Sequence, residues 1–441
     1  MICYFMASTH GIPIDSTMKL RNGTRPMIVA VEMGYGHLRA AHTLAEAFDT
    51  EIIRMDLPPV AGPAEAAVWR GIVRFYSGLS QACDWPVAGA AAQTILGKIT
   101  EIAPPRAQVN GTTWLTEIAD SLTANFMGRR LRSLAAKAEG PVLTTYPAAA
   151  MAARHASGTR IFCLVTDTDA NRAWAPANAS NPAIDYFAPV PRVVDRLRSF
   201  GVPEKRIHLT GFPLSPKLVA EAQTALAGRL RRLDPRWTFR SQAGNELRAL
   251  AEDSPPDAAS EPITMTVAIG GAGGQTGYVG KLLRSLRKQV LAGKLRLNLV
   301  AGTRADVAEI LRKLVDAVGL TAQVKCGIEI VLDTELRGYF RKFEDCLAKT
   351  DVLWTKPSEL TFYAALGIPM LLAPPIGGQE HANRDWLLSN NAALDAGDPT
   401  TLDDRIEHLL EAGELCRVAW NAYSRFDRNG LDRIQKVINS I

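Results

Sequence analysis

At 441 residues the chain is too long for one hydrophobic core and long enough for two α/β domains. With 47% hydrophobic and 22% charged residues it is neither disordered nor fibrous, and no run of about 18 apolar residues is present to span a bilayer. A net charge of +5 suits an anionic ligand or an anionic membrane surface, but it is too diffuse to indicate nucleic acid.

Residues 1–24 carry no periodicity, and their start, MICYFMAS, lacks the basic and long apolar stretches of a secretory signal. They read as an extension. MIVAVE (27–32) is the first strand; it ends at the turn GYGH (34–37) and leads into a helical pattern with Leu38, Ala41, Leu44, Ala45 and Phe48 on one face. EIIRMD (51–56) is the next strand, which makes a parallel βαβ opening.

Residues 58–135 interrupt this rhythm with helical patterns. In WRGIVRFYSGL (69–79), Trp69, Ile72, Val73 and Tyr76 share a face with Arg70 and Arg74 beside it. Such a helix packs on a core or lies in a membrane interface, where Trp69 and Arg70 would be the contacts. The strand rhythm resumes at PVLTT (141–145), RIFCLVT (160–166), IDYFA (184–188) and RIHLTGFPL (206–214), which completes a doubly wound domain over 25–215.

Residues 216–262 are polar and Pro-containing, and read as a linker. A second α/β unit, 263–400, opens with TMTVAIG (264–270), the loop GGAGGQTG (270–277) and a basic amphipathic helix. Strand patterns follow at 295–302, 328–333, 351–357 and 368–375, and 401–441 is a helical tail. The six cysteines form no CxxC and no grouping with zinc spacing, so no structural metal is expected and a reduced, cytoplasmic compartment fits.

Three short motifs invite chemistry. GGAGGQTG lies between a strand and a helix, where backbone N–H groups can cradle a phosphate; Leu282 after Lys281 rules out a Walker A loop. GYGH could open a dinucleotide fingerprint with Asp56 as the ribose acid, but Arg39 stands where a third small residue should be and His37 would project into the crevice. Asp167-Thr168-Asp169 at a strand end reads as a metal-holding carboxylate pair or as a local turn cap.

The segment TKPSELTFYAALGIPMLLAPPIGGQEHAN (355–383) resembles the donor-site stretch of the lipid-linked GT-B glycosyltransferases, the family of monogalactosyldiacylglycerol synthase and of the N-acetylglucosaminyltransferase that completes lipid II. EMGYGHLRAA is similar to that family's Gly-Gly-Gly-His turn, and VTDTDANRAWAP with RIHLTGFPL resembles its mid-chain segment. The resemblance implies two Rossmann-like domains facing a cleft, with a C-terminal helix able to cross back to the first. It also implies an inverting, metal-independent transfer from a nucleotide-sugar, a UDP-sugar in the family, to a lipid or membrane-proximal hydroxyl at the inner membrane face. The nucleotide-sugar is a co-substrate, and no cofactor is implied.

On this reading Gly271, Gly273, Gly274 and Gln275 approach the diphosphate. Lys356, Ser358 and Glu359 belong to the donor site, and Gln379 and Glu380 meet the sugar hydroxyls with Asn383 in support. Gly34, Tyr35 and Gly36 form the acceptor side. His37 is the general base, with Asp167 or Asp169 as its orienter or substitute. One departure stands out: the family's ribose-holding glutamate falls at Phe362, and Glu359 is the nearest acid. Two alternatives stay open, an enzyme of the same fold acting as a nucleotide-sugar 2-epimerase or on a soluble acceptor, and a non-catalytic nucleotide-sugar binder.

Overall fold

The structure, a computed structural model, describes residues 25–83, 89–102, 126–180, 183–252, 261–268 and 276–440, together with 121 and 123. Its first sheet contains β1 (Met27–Ala30), β2 (Ile52–Arg54), β3 (Val142–Thr144), β4 (Ile161–Leu164), β5 (Ile184–Ala188) and β6 (Ile207–Leu209). All pairs are parallel, in the order β2-β1-β3-β4-β5-β6, with Ile28 opposite Ile52 on one side and Leu143 on the other. Its inner strands β1, β3 and β4 are short, mainly apolar runs, as burial on both faces demands, whereas the edge strands β2 and β6 are only partly buried.

The second sheet contains β7 (Ile263–Ala268), β8 (Leu295–Gly302), β9 (Ile328–Leu332), β10 (Val352–Thr355), β11 (Met370–Leu372) and β12 (Ala393–Asp395). It too is parallel, in the order β12-β11-β10-β7-β8-β9. In each sheet the winding reverses once, beside β1 and β3 in the first and beside β7 and β10 in the second. Ligand crevices of open α/β sheets form outside the strand carboxyl ends at such reversals.

Helices α1 (Tyr35–Ala47), α2 (Pro63–Ala82), α3 (Gly89–Ile99), α4 (Arg129–Ala135), α5 (Pro147–Ala153) and α6 (Pro191–Ser199) belong to the first half. Next come α7 (Pro216–Arg232), α8 (Asn245–Glu252), α9 (Thr276–Leu291), α10 (Ala305–Ala317), α11 (Leu336–Ala348) and α12 (Gly378–Ser389). The chain ends in α13 (Leu402–Glu411), α14 (Glu414–Arg425) and α15 (Gly430–Asn439).

Much of the expected linker is folded. Leu226 and Leu230 of α7, with Leu233 and Leu247, are buried in the second domain's core. Arg229 donates to the carbonyls of Thr350, Leu366 and Gly367 at 2.9–3.0 Å. The apolar residues sit three to four apart within a polar sequence, and that periodicity marks an amphipathic helix rather than a tether.

The expected helix after residue 357 is a 3₁₀ turn, Glu359–Leu366, closed by Gly367 in the left-handed region. The tail does cross back. Leu431, Ile434 and Ile438 of α15 join the first domain's core, and Gln435 donates to the Ala47 carbonyl at 3.1 Å. Gly430 lies against Gly211 so closely that a side-chain carbon there would stand 2.2 Å from the Phe212 carbonyl oxygen. Two Rossmann-like domains face a cleft, the GT-B arrangement. Among the described residues no helix is long and apolar enough to cross a membrane.

Candidate active site between the two sheets

A cavity of about 450 Å³ opens where the two winding reversals meet. The first sheet contributes the turn after β1 and the loops after β3 and β4; the second contributes the ends of β7, β8 and β10 and the first turn of α12. Gly34, Tyr35, Gly36, His37 and Asp167 line it on one side, and Lys356, Ser358, Glu359, Gln379, Glu380 and Asn383 on the other. The sequence placed these two groups in separate domains; the fold brings them to one space.

His37 lies in the first turn of α1 and is half-buried. Its Nδ1 is 2.5 Å from the Thr145 carbonyl and 3.3 Å from the Thr166 hydroxyl. A carbonyl only accepts, so Nδ1 carries the proton and Nε2 is left as the basic nitrogen. The Thr145 hydroxyl returns a bond to the His37 carbonyl at 2.9 Å, which fixes the turn. Tyr146 meets the ring edge-on at 5.0 Å between centroids, with Trp174 at 6.1 Å. Loss of water lowers the imidazole pKa to about 4, against a smaller rise from the Thr145 bond, so the ring is neutral at physiological pH.

Asp167 is displaced the other way, with its pKa raised to about 6, chiefly by burial. Asn383 opposes this by donating to Asp167 Oδ1 at 2.9 Å, while the charges of Glu359, Glu380 and Asp169 add to it. Asn383 is itself fully buried, and its amide is spent on protein. Its Nδ2 also donates to the Pro357 carbonyl at 3.2 Å, and its Oδ1 accepts from the Thr168 N–H and hydroxyl, both at 2.8 Å. A residue expected to support sugar binding is instead a tie between the domains that orients Asp167.

Asp169 does not join the site. Arg196 grips both its oxygens, at 2.8 and 3.1 Å, and Oδ1 also accepts from the Ala170 N–H at 2.8 Å. Only the first aspartate of Asp167-Thr168-Asp169 lines the cavity, so the motif does not present two carboxylates to one cation. Asp56 is likewise taken, by Arg54 at 2.6 and 2.9 Å.

On the facing wall, charges arrive in pairs. Lys356 lies 3.8 Å from Glu380, whose other oxygen accepts from the Ile376 N–H at 2.8 Å. Glu359, expected to hold a ribose, accepts from Arg39 at 2.7 Å inside the protein. Arg39 crosses from the first domain, donates to Tyr339 at 3.2 Å and lies over the Phe343 ring at 4.4 Å. Tyr35 crosses as well: its oxygen accepts from the Thr303 N–H at 2.8 Å. The bulk that makes Tyr35 unlike the family's glycine therefore serves as a strut between the domains.

Helix α2 roofs the cavity with Ile72, Phe75, Tyr76 and Leu79. Trp69 cannot be a membrane contact. It is 2% exposed, and its ring lies 6.1 Å from that of Tyr146. Arg70 is exposed, as are Val68, Ile72 and Phe75, the last by 61%. The outward face of α2 is thus offset from the one its aromatic pattern suggested.

Gly271, Gly273, Gly274 and Gln275, the expected phosphate cradle, lie outside the described residues, as does the 1–24 extension. Ala268, at the end of β7, lines the cavity. Sequence reasoning missed Thr145, Thr166, Tyr146 and Trp174 around His37, and it read Arg39 only as an obstacle. A charged residue amid the apolar positions of α1 was the available signal.

No protein-family profile matches the sequence. Comparison with curated proteins likewise returns no match. Solved structures do show a distant similarity in chain path. UDP-GlcNAc 2-epimerase from Neisseria meningitidis, bound to UDP-GlcNAc, is 12% identical over 94% of this chain and 99% of that one, with a TM-score of 0.48. HepE from Anabaena, in complex with UDP and glucose, is 12% identical over 95% and 100%, at 0.46. A glycosyltransferase from Rickettsia africae is 11% identical over 94% and 98%, at 0.41.

Proposed function

We propose that the protein is a nucleotide-sugar-dependent enzyme, an inverting, metal-independent glycosyltransferase that moves a sugar from a UDP-linked donor to a hydroxyl of a lipid or membrane-proximal acceptor. The reading is carried by one observation: a neutral, tautomerically fixed histidine beside Asp167 faces Lys356, Gln379 and Glu380 across a single interdomain cavity. The resemblance of residues 355–383 to a donor-site stretch supports it.

In this mechanism the donor lies against the second domain. Gln379 and Glu380 hold sugar hydroxyls, and Lys356 turns from Glu380 towards the departing diphosphate, whose charge the N–H groups of the glycine loop share. From the first domain, the acceptor hydroxyl gives its proton to His37 Nε2 or to Asp167 as its oxygen attacks the anomeric carbon and the bond to UDP breaks. Both groups are unprotonated at neutral pH, and Asp167, with the higher proton affinity, is the stronger base. Arg70, Arg74 and the apolar residues exposed on α2 suit an anionic bilayer surface, where a lipid acceptor would be met.

A second reading, nucleotide-sugar 2-epimerase, is favoured by the enclosure of His37 and Asp167 under one roof. Removing and returning a proton on the donor's own sugar needs two such groups and no acceptor. Incubation with UDP-hexoses, with and without diacylglycerol, separates the readings. UDP release that requires the acceptor is the expected result, whereas an epimerised sugar in its absence selects the second. If His37 is the base, His37→Ala keeps donor binding and loses about 10²–10⁴-fold in turnover, whereas a wild-type rate removes His37 and leaves Asp167 as the base.

A further inference from the structure

The α2–α3 hairpin belongs to the first domain by sequence, yet its inner end is seated on the second. Ile376, in the turn before α12, is buried with Cys83, Ala92 and Leu96 of the hairpin, and Tyr76 and Leu79 pack against this small cluster. Just beyond α3, the Thr100 hydroxyl donates to the Leu96 carbonyl and accepts from the Gly378 N–H, both at 2.8 Å. A side-chain carbon at residue 378 would fall 2.3 Å from the Thr100 carbonyl oxygen, so this seat requires glycine. The hairpin is therefore registered to the first turn of α12, the turn that carries Gln379 and Glu380 into the cavity.

Of the hairpin residues that line the cavity, Ile72, Phe75 and Leu79 offer only apolar contact, Thr100 has its hydroxyl engaged at both ends, and Ser80 is a short side chain held back in a buried position. Tyr76 brings a phenol. Burial, and then the charges of Glu380 and Asp167, raise its proton affinity well above the ordinary value, so it stays a neutral donor and acceptor close to both carboxylates. Carboxylates only accept from sugar hydroxyls, and they tolerate several hydroxyl geometries. A phenol held by a packed helix both donates and accepts along fixed directions, which is what discriminates an axial from an equatorial hydroxyl.

We propose that Tyr76 is a specificity-determining residue, reading one hydroxyl of the donor sugar from a cap that the first domain lays over the second domain's sugar subsite. The inference rests on the nucleotide-sugar reading and adds to it that the choice of hexose is made partly by the inserted hairpin.

Calorimetric titration of the wild type and of Tyr76→Phe with UDP, UDP-glucose, UDP-galactose, UDP-N-acetylglucosamine and UDP-N-acetylgalactosamine tests it. Loss of one hydrogen bond should compress the affinity ratio between the preferred sugar nucleotide and its C4 epimer about tenfold. Affinity for UDP alone should not change, which also certifies that the variant is folded. An unchanged ratio with intact UDP binding overturns the role of Tyr76 and leaves the nucleotide-sugar reading standing. Failure of the wild type to bind any of the five ligands removes both.

Discussion

In the first sheet, the crevice beside β1 and β3 holds titratable groups stripped of water, whereas the crevice beside β7 and β10 is flanked by charges already in pairs. His37 and Asp167 are displaced in opposite directions by one cause, the penalty on any isolated charge. Lys356 lies beside Glu380, and Glu359 accepts from Arg39. Both sheets are six-stranded and parallel with a single winding reversal, although one strand follows the opening strand before the reversal in the first and two in the second. The difference at the crevices therefore lies in the loops at their carboxyl ends. On the function proposed above, the first wall would move protons and the second would hold the donor.

The largest effect should come from breaking a pair. Arg39→Met leaves Glu359 buried without its counter-ion and should cost about 3–5 kcal/mol in denaturant unfolding, most of it recovered in Arg39→Met/Glu359→Gln. A loss below about 1 kcal/mol would mean that the pair is exposed in solution and the walls stand apart. Somewhat smaller, Trp69→Ala should destabilise by about 3 kcal/mol while leaving vesicle binding untouched. Arg70→Gln should leave stability alone and weaken sedimentation with anionic vesicles by about 1 kcal/mol. If Trp69→Ala, still folded, abolishes sedimentation, the assignment of the two faces of α2 fails.

The smallest effect is the most discriminating. A required base must be unprotonated, so kcat/KM should fall as pH drops through its pKa: near 6 if Asp167 is that base, near 4 if it is His37. Asn383→Ala removes the hydrogen bond that opposes protonation of Asp167, so an Asp167 limb should move to higher pH while a His37 limb stays put. A limb that ignores this substitution removes Asp167 from proton transfer.

The strands and the doubly wound halves were legible because runs such as IFCL and VLWT have no polar alternation, and because strand and helix patterns take turns along the chain. His37 and the 355–383 segment could be nominated on the same grounds. What stayed hidden depends on partners far along the chain. Arg39 finds Glu359 across 320 positions, and Thr168 finds Asn383 across 215. No local pattern distinguishes an arginine that seals a domain interface from one that blocks a fingerprint. Asp169 shows the same limit nearer by, since Arg196, 27 residues on, takes its carboxylate. In α2 the stripe of Trp69, Ile72, Val73 and Tyr76 does not share one environment, since Trp69 is buried near Tyr146 while Ile72 is exposed.

The chain passes between domains twice, once after Gly211 and once before Gly430, and these two passages touch. Pivots set side by side act like a door hung on adjacent pins: one swing is easy, while sliding or twisting would force the two backbones through each other. Any change in the angle between the domains would then be a rotation about that line, in which the far lip of the cleft travels most and the residues nearest the pins hardly move. Enlarging Gly430 even to alanine would jam the jamb rather than the lock.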